Sequence, residues 1–167
     1  MDSNKSASGA RMATTNDKSL AYGLWLLRLG AGTFMIIHGA AKLSHFSELS
    51  ATFADPLRIG SAASLTLASG AEFLGAFLVT LGLFTRPAAL SVVFTMLVAG
   101  LIKHGPDPWA KKELALLYAI VFGALALTGP GSFSLDSWWR RRRVTLDSRR
   151  GGAGSASPGD TKLPSPV

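Results

Sequence analysis

Four separate runs of apolar and small residues, 20–41, 61–84, 87–102 and 114–128, constrain this chain more than any other feature. At about 1.5 Å of helical rise per residue, each can cross most or all of a hydrocarbon core about 30 Å thick, the last two with the help of their flanks. Apolar residues occur around the whole circumference of each run, which a surface helix of a soluble protein does not allow. The pattern predicts an all-α fold, an integral membrane four-helix transmembrane bundle with spans near 20–41, 61–84, 87–104 and 112–129.

Composition supports this through segregation rather than through its average. Of 167 residues 16% are charged, and nearly all of them lie in the first nineteen residues, in the short segments between runs and from Asp136 onward. The net charge of +7 is concentrated in the tail, with no aromatic interleaving or nucleic-acid motif, so nucleic acid is not the expected partner. The bilayer is. The absence of cysteine removes disulfides, thiolate metal sites, iron–sulfur ligation and any dithiol relay within this chain.

Residues 1–19 are polar and read as a disordered cytoplasmic leader. The run that follows is long for a signal-peptide core and carries Arg28, so a retained helix is expected. Thr85-Arg86-Pro87 reads as a tight turn, with Thr85 as N-cap and Pro87 at the first helical position. Gly129-Pro130-Gly131 stops the fourth run. Between the first two spans, Phe46, Leu49, Phe53 and Leu57 share one helical face, predicting a short interfacial helix that ends near Asp55-Pro56. Eleven Lys and Arg fall on the side of the tails and Arg86, and five on the other, which places both termini in the cytoplasm by the positive-inside rule. Trp138-Trp139 followed by Arg140 to Arg143 reads as an interfacial anchor, the start of a basic, mostly disordered tail over 138–167.

Ionisable residues inside such runs are costly and mark candidate sites. Arg28 is eight residues from the cytoplasmic end of the first span and Glu72 twelve from that of the second, about 12 and 18 Å by residue count. An arginine side chain closes that gap, so an intramembrane Arg28–Glu72 ion pair is expected. His38, His104 and Glu113 come to a similar depth near the outer face, with Lys42 one turn beyond His38. This group is a candidate binding site for a substrate or a quinone headgroup, or for proton exchange. Neither haem ligation nor a metal site is expected. The unremarkable alternatives are an ion pair that only fixes register and interfacial histidines bonded to backbone.

The stretches RLGAGTFMIIHGAAKL at 28–43, EFLGAFLVTLGLFTRPAAL at 72–90 and KELALLYAIVFGALALTGPGSFSLD at 112–136 resemble, in this order, the DoxX-like membrane proteins. The likeness covers about residues 20–137 and leaves out the leader and the Arg-rich tail. It implies a bacterial inner (plasma) membrane protein of four helices, with Arg28, His38, Glu72, His104 and Glu113 at the family's recurrent polar positions. It also implies a component of a quinone-linked redox system, with quinone as the group bound and a redox subunit as partner; a homo-oligomer is compatible with the same sequence. Without cysteine or a dinucleotide fold, any flavin, haem or thiol chemistry falls to a partner chain. The other reading is a non-catalytic membrane scaffold subunit, or a small-solute or proton permease, in which the same polar groups fix packing or line a path.

Overall fold

The computed structural model describes residues 3–139, 141 and 142, with side chains from Lys18 onward. Among them the ordered elements are all helical. Helix α1 (Ser3–Ser44) is followed by the short α2 (Phe46–Leu49) and a second rod made of α3 (Ser61–Gly70), a π-helical turn (Ala71–Gly75) and α4 (Ala76–Leu81). A third rod joins α5 (Thr85–Leu97) to a second π-helical stretch (Val98–Lys103), and α6 (Trp109–Thr128) completes the chain of long elements.

Three of these stretches are long and apolar enough to cross a membrane: Lys18–Ser44, Ser61–Leu81 and Thr85–Lys103. Helix α6 is 20 residues long, about 30 Å, but its first turns carry Lys111, Lys112 and Glu113. It lies along α5, while α1 packs on α4 and on the first π-turn.

The exterior is apolar where a soluble protein's is polar. Leu26, Phe34, Ile37, Leu67, Phe94, Ile120 and Leu127 are all exposed, on every long element. Apolar surface of that extent is solvated by lipid rather than water. Arg28, Ser69, Glu72 and Thr85 are instead buried with the core of Met35, Ala76, Val79, Val92, Phe122 and Leu125.

Close approach of the first two rods sets their register. A Cβ at Gly39 would lie 2.5 Å from the Phe73 backbone nitrogen, and one at Gly32 would overlap the Thr80 hydroxyl. Only a missing side chain permits this distance. Seven residues along α1 thus answer to seven along its antiparallel neighbour. The second rod ends earlier than its apolar run, at Leu81. Gly82 takes φ 70°, and the amides of Gly82 and Leu83 donate to the carbonyls of Val79 and Leu78, a Schellman closure.

Three local expectations change. Helix α1 begins at Ser3, within the segment read as a disordered leader, in a stretch with no proline to interrupt it. Thr85 is already helical, Phe84 precedes it as the cap residue, and no side chain caps the helix. The interfacial helix shrinks to four residues, and Asp55, near its expected end, instead gathers the following turn by accepting from the amides of Ile59 and Gly60 and from the Ser64 hydroxyl. Helix α6 stops at Thr128, ahead of Gly129-Pro130-Gly131, and the chain is helical again over 135–139. Arg140 and residues 143–167, which hold most of the basic tail, lie outside the described residues.

Candidate functional site

The buried charges do not meet. Register explains why: Arg28 lies level with Gly82, at the end of α4, whereas Glu72 lies level with Gly39 and Ala40. Eleven residues of helix, about 16 Å, separate those levels. Residue counting from the ends of the apolar runs hid this, because it took those ends as level, whereas the first helix continues well past the end of the second and Arg28, not Leu20, stands beside Gly82.

Arg28, 2% exposed, is turned to the loop after α6. Its Nη1 donates to the Pro130 carbonyl and its Nη2 to the Phe133 carbonyl, and Asp136 acts on it electrostatically. The Asp136 amide donates to the Gly82 carbonyl at 3.1 Å, so this loop closes over the guanidinium and the α4 terminus together. Arg28 is a clamp here, not part of a cavity floor.

Glu72, also 2% exposed, sits in the first π-turn and is ion-paired through Oε1 with Lys42 of α1. Its Oε2 has no hydrogen-bond partner among the described residues. A π-turn inserts one residue into a helix and re-aims the side chains around it, and such turns recur at functional sites. Here there are two. The second ends at Lys103, and the His104 amide donates back five residues to Ala99 at 2.9 Å.

Between them lies a cavity of about 200 Å³ whose polar lining is His38, Lys42, Glu72, Lys103, His104, Lys111 and Tyr118, with Met35 and Met96 at its apolar side. The His38 ring meets Tyr118 edge-on at 6.1 Å between centroids. His104 Nδ1 donates to Asp107 Oδ2 at 2.7 Å, which leaves Nε2 to carry the exchangeable proton. That hydrogen bond, helped by the charges of Lys111 and Lys112, holds the Asp107 carboxyl below its ordinary range.

A second cavity of about 230 Å³ adjoins the first and shares Lys42, Glu72, Ala99 and Lys103 with it. Its remaining wall is almost wholly apolar and includes Phe53, Leu57, Leu67, Phe94 and Val98. Phe53 stands between the two lysines, its ring centroid 6.0 Å from Lys42 Nζ and 5.4 Å from Lys103 Nζ.

The structure therefore brings His38, His104, Lys42 and Glu72 together and leaves Glu113 out. Glu113 is exposed and lines neither cavity. The cavity face of α6 runs through Lys111, Leu114, Ala115 and Tyr118, and a residue two positions from 111 and 115 points about 200° away. Tyr118, Asp107 and Phe53 join the site without having been singled out for it. The spacing of His104 and Asp107, three apart after a long apolar run, is a signal that was present in the sequence. Tyr118 offered none beyond an aromatic in a span. Among the described residues no group of three or more His, Asp or Glu side chains is placed to hold a metal ion.

An apolar exterior, spanning-length helices and the charged Arg28 and Glu72 buried within them define a helical membrane protein. Its family follows from sequence: the DoxX family model matches residues 23–105, and the chain belongs to that family. The matched stretch holds His38, Lys42, Glu72, Lys103 and His104 and stops short of Asp107 and Tyr118. An uncharacterized protein of Haemophilus influenzae (strain Rd) is 33% identical over 133 residues, 72% of this chain and 93% of that one. No solved structure matches the chain.

Proposed function

We propose that this DoxX family protein is a four-span bundle of the bacterial inner membrane, with both termini in the cytoplasm, and that it binds a quinone near the outer face as part of a membrane redox system. The topology draws support from the fourth helix lying along the third rod, and from eleven basic residues on one side against five on the other. The quinone reading rests on one observation, the two adjoining cavities that share Lys42 and Glu72, one polar and one apolar. A ligand with a polar ring and an isoprenoid tail matches that division, and together the cavities approach the size of ordinary small-molecule sites.

The lining residues fit such a headgroup. Lys42 and Lys103 offer cationic donors, and Tyr118 a hydroxyl. Asp107 orients His104 so that Nε2 can hold or release a proton, and Glu72 has one carboxylate oxygen uncommitted. When bound, a quinone supplies two-electron, two-proton redox chemistry, with the electrons delivered by a redox partner chain, since this one has no cysteine. In this reading the protein's own part is to bind, to exclude water behind Phe53, and to move protons through His104 and Glu72.

The test is quinone extraction from mildly solubilised protein, followed by titration of the emptied protein with a short-chain quinone. Wild type should retain and rebind quinone, and a His104→Ala/Lys103→Ala variant should lose most of both. Equal behaviour of the two, or no binding by either, would overturn the assignment in favour of the scaffold or permease reading.

A further inference from the structure

The opposite end of the molecule holds a second cavity system that the quinone reading does not use. It has a volume of about 590 Å³ and lies where α5 begins and the loop after α6 returns, with Thr85, Arg86, Ser132, Asp136, Ser137 and Arg141 among its walls. Four features give it an anionic preference. Arg86 and Arg141 both line it. The first turn of α5 opens on it, and α5 continues into the π-stretch as one rod of 19 residues whose N-terminal amides carry partial positive charge. The one lining acid, Asp136, also interacts electrostatically with the buried Arg28, so the two arginines of the wall and the guanidinium behind it outnumber that single carboxylate. Thr85, 1% exposed, is part of the wall, and its Oγ1 has no hydrogen-bond partner among the described residues.

Where the cavity sits narrows the chemistry of the anion. It lies level with the ends of the apolar stretches, since α4 ends at Leu81 and α5 starts at Thr85. Exposed Phe84 and Phe133 stand beside it, followed by exposed Trp138 and Trp139, the side chains that settle at a membrane interface. Just outside the wall, Arg142 stacks 4.0 Å over the Trp138 ring.

We propose that this cavity is a headgroup site for an anionic phospholipid, with the phosphodiester held between Arg86 and Arg141 at the α5 N-terminus and the acyl chains lying along the apolar exterior. The proposal is independent of the quinone reading, because no residue is common to the two sites. Soluble phosphate shares the headgroup's chemistry, and the test separates the two.

The experiment is lipid retention by the full-length protein, released from mild detergent and read by native mass spectrometry after exchange into mixed phosphatidylglycerol and phosphatidylcholine. Wild type should hold phosphatidylglycerol in preference. The preference should fall roughly thirtyfold in Arg86→Gln/Arg141→Gln, about a factor of five for each basic residue removed. Arg86→Lys/Arg141→Lys should keep most of it, which separates lost charge from lost folding, and Arg142→Gln should match wild type. Equal retention of the two lipids by wild type, or an unchanged preference in the Gln double variant, would overturn the site. Displacement of the lipid by millimolar inorganic phosphate, while ionic strength is held constant, would reassign it to soluble phosphate and overturn the lipid proposal.

Discussion

Lys42 reaches from α1 across the first π-turn to Glu72, and this pair, not Arg28 with Glu72, neutralises the carboxylate at the centre of the bundle. Breaking a buried pair from one side strands a charge, whereas removing both partners does not.

Lys42→Met should therefore lower stability by about 3 kcal/mol or more, because Glu72 is left buried and unpaired. Lys42→Met/Glu72→Leu should recover most of that loss. Arg28→Met combined with Glu72→Leu should instead add simply, the two residues having no common partner. Denaturant unfolding in a fixed detergent measures all the variants, and additivity for Lys42 and Glu72 would count against their coupling.

Arg28 holds two carbonyls of one loop with two nitrogens of one planar group. Arg28→Met should cost about 3 kcal/mol, from two charged hydrogen bonds and the stranded Pro130 and Phe133 oxygens. Arg28→Lys should recover little of this, since a single ammonium does not reproduce the fork. Faster proteolysis of the segment after Thr128 in both variants is the readout, and protection in the lysine variant would argue against the fork geometry.

Gly39 is where α1 comes closest to the second rod. Gly39→Ala places a methyl 2.5 Å from the Phe73 nitrogen, against backbone that cannot swing aside. The expected loss is about 1–3 kcal/mol, as for other overpacked cores. Gly23→Ala, where a Cβ meets nothing within 4 Å, should be neutral or slightly stabilising. Thermal midpoints of the two variants should separate in that order.

Asp107 gives the loop before α6 a defined pH response. Its folded-state pKa lies below the ordinary 3.8, chiefly through the hydrogen bond from His104. A depressed carboxyl pKa contributes stability that is present above the unfolded value and is lost as pH falls through the folded one. The thermal midpoint of wild type should thus exceed that of Asp107→Asn at neutral pH, and the two should converge below about pH 4. A gap that persists into strong acid would mean that the carboxylate is not the cause.

Much of the architecture could be read without a structure. The four apolar runs correspond to the four long helical stretches, and Gly129-Pro130-Gly131 marks the exit from the last. His38, Lys42, Glu72 and His104, which line one cavity, were legible as candidates because polar groups in an apolar run stand out against their surroundings. Their partners were not. Counting from run ends placed Arg28 within reach of Glu72, but those ends are not level: the glycine contacts set a register in which Arg28 stands beside Gly82 and the first helix runs on past the end of the second. Glu113 had the depth for the outer cluster and lacked the azimuth, which residue counting does not supply.

What the sequence determined by itself is membership of the DoxX family, the helical class and the positions of its membrane-length segments, because the cost of burying charge in hydrocarbon is read from local composition alone. Tertiary structure decided which charges meet. A pairing depends on helix register and rotation to within one residue, about 1.5 Å and 100°. Those are set by the close approach of the second rod at Gly32 and Gly39, between segments distant in the chain, and by two π-turns that re-aim the side chains around them.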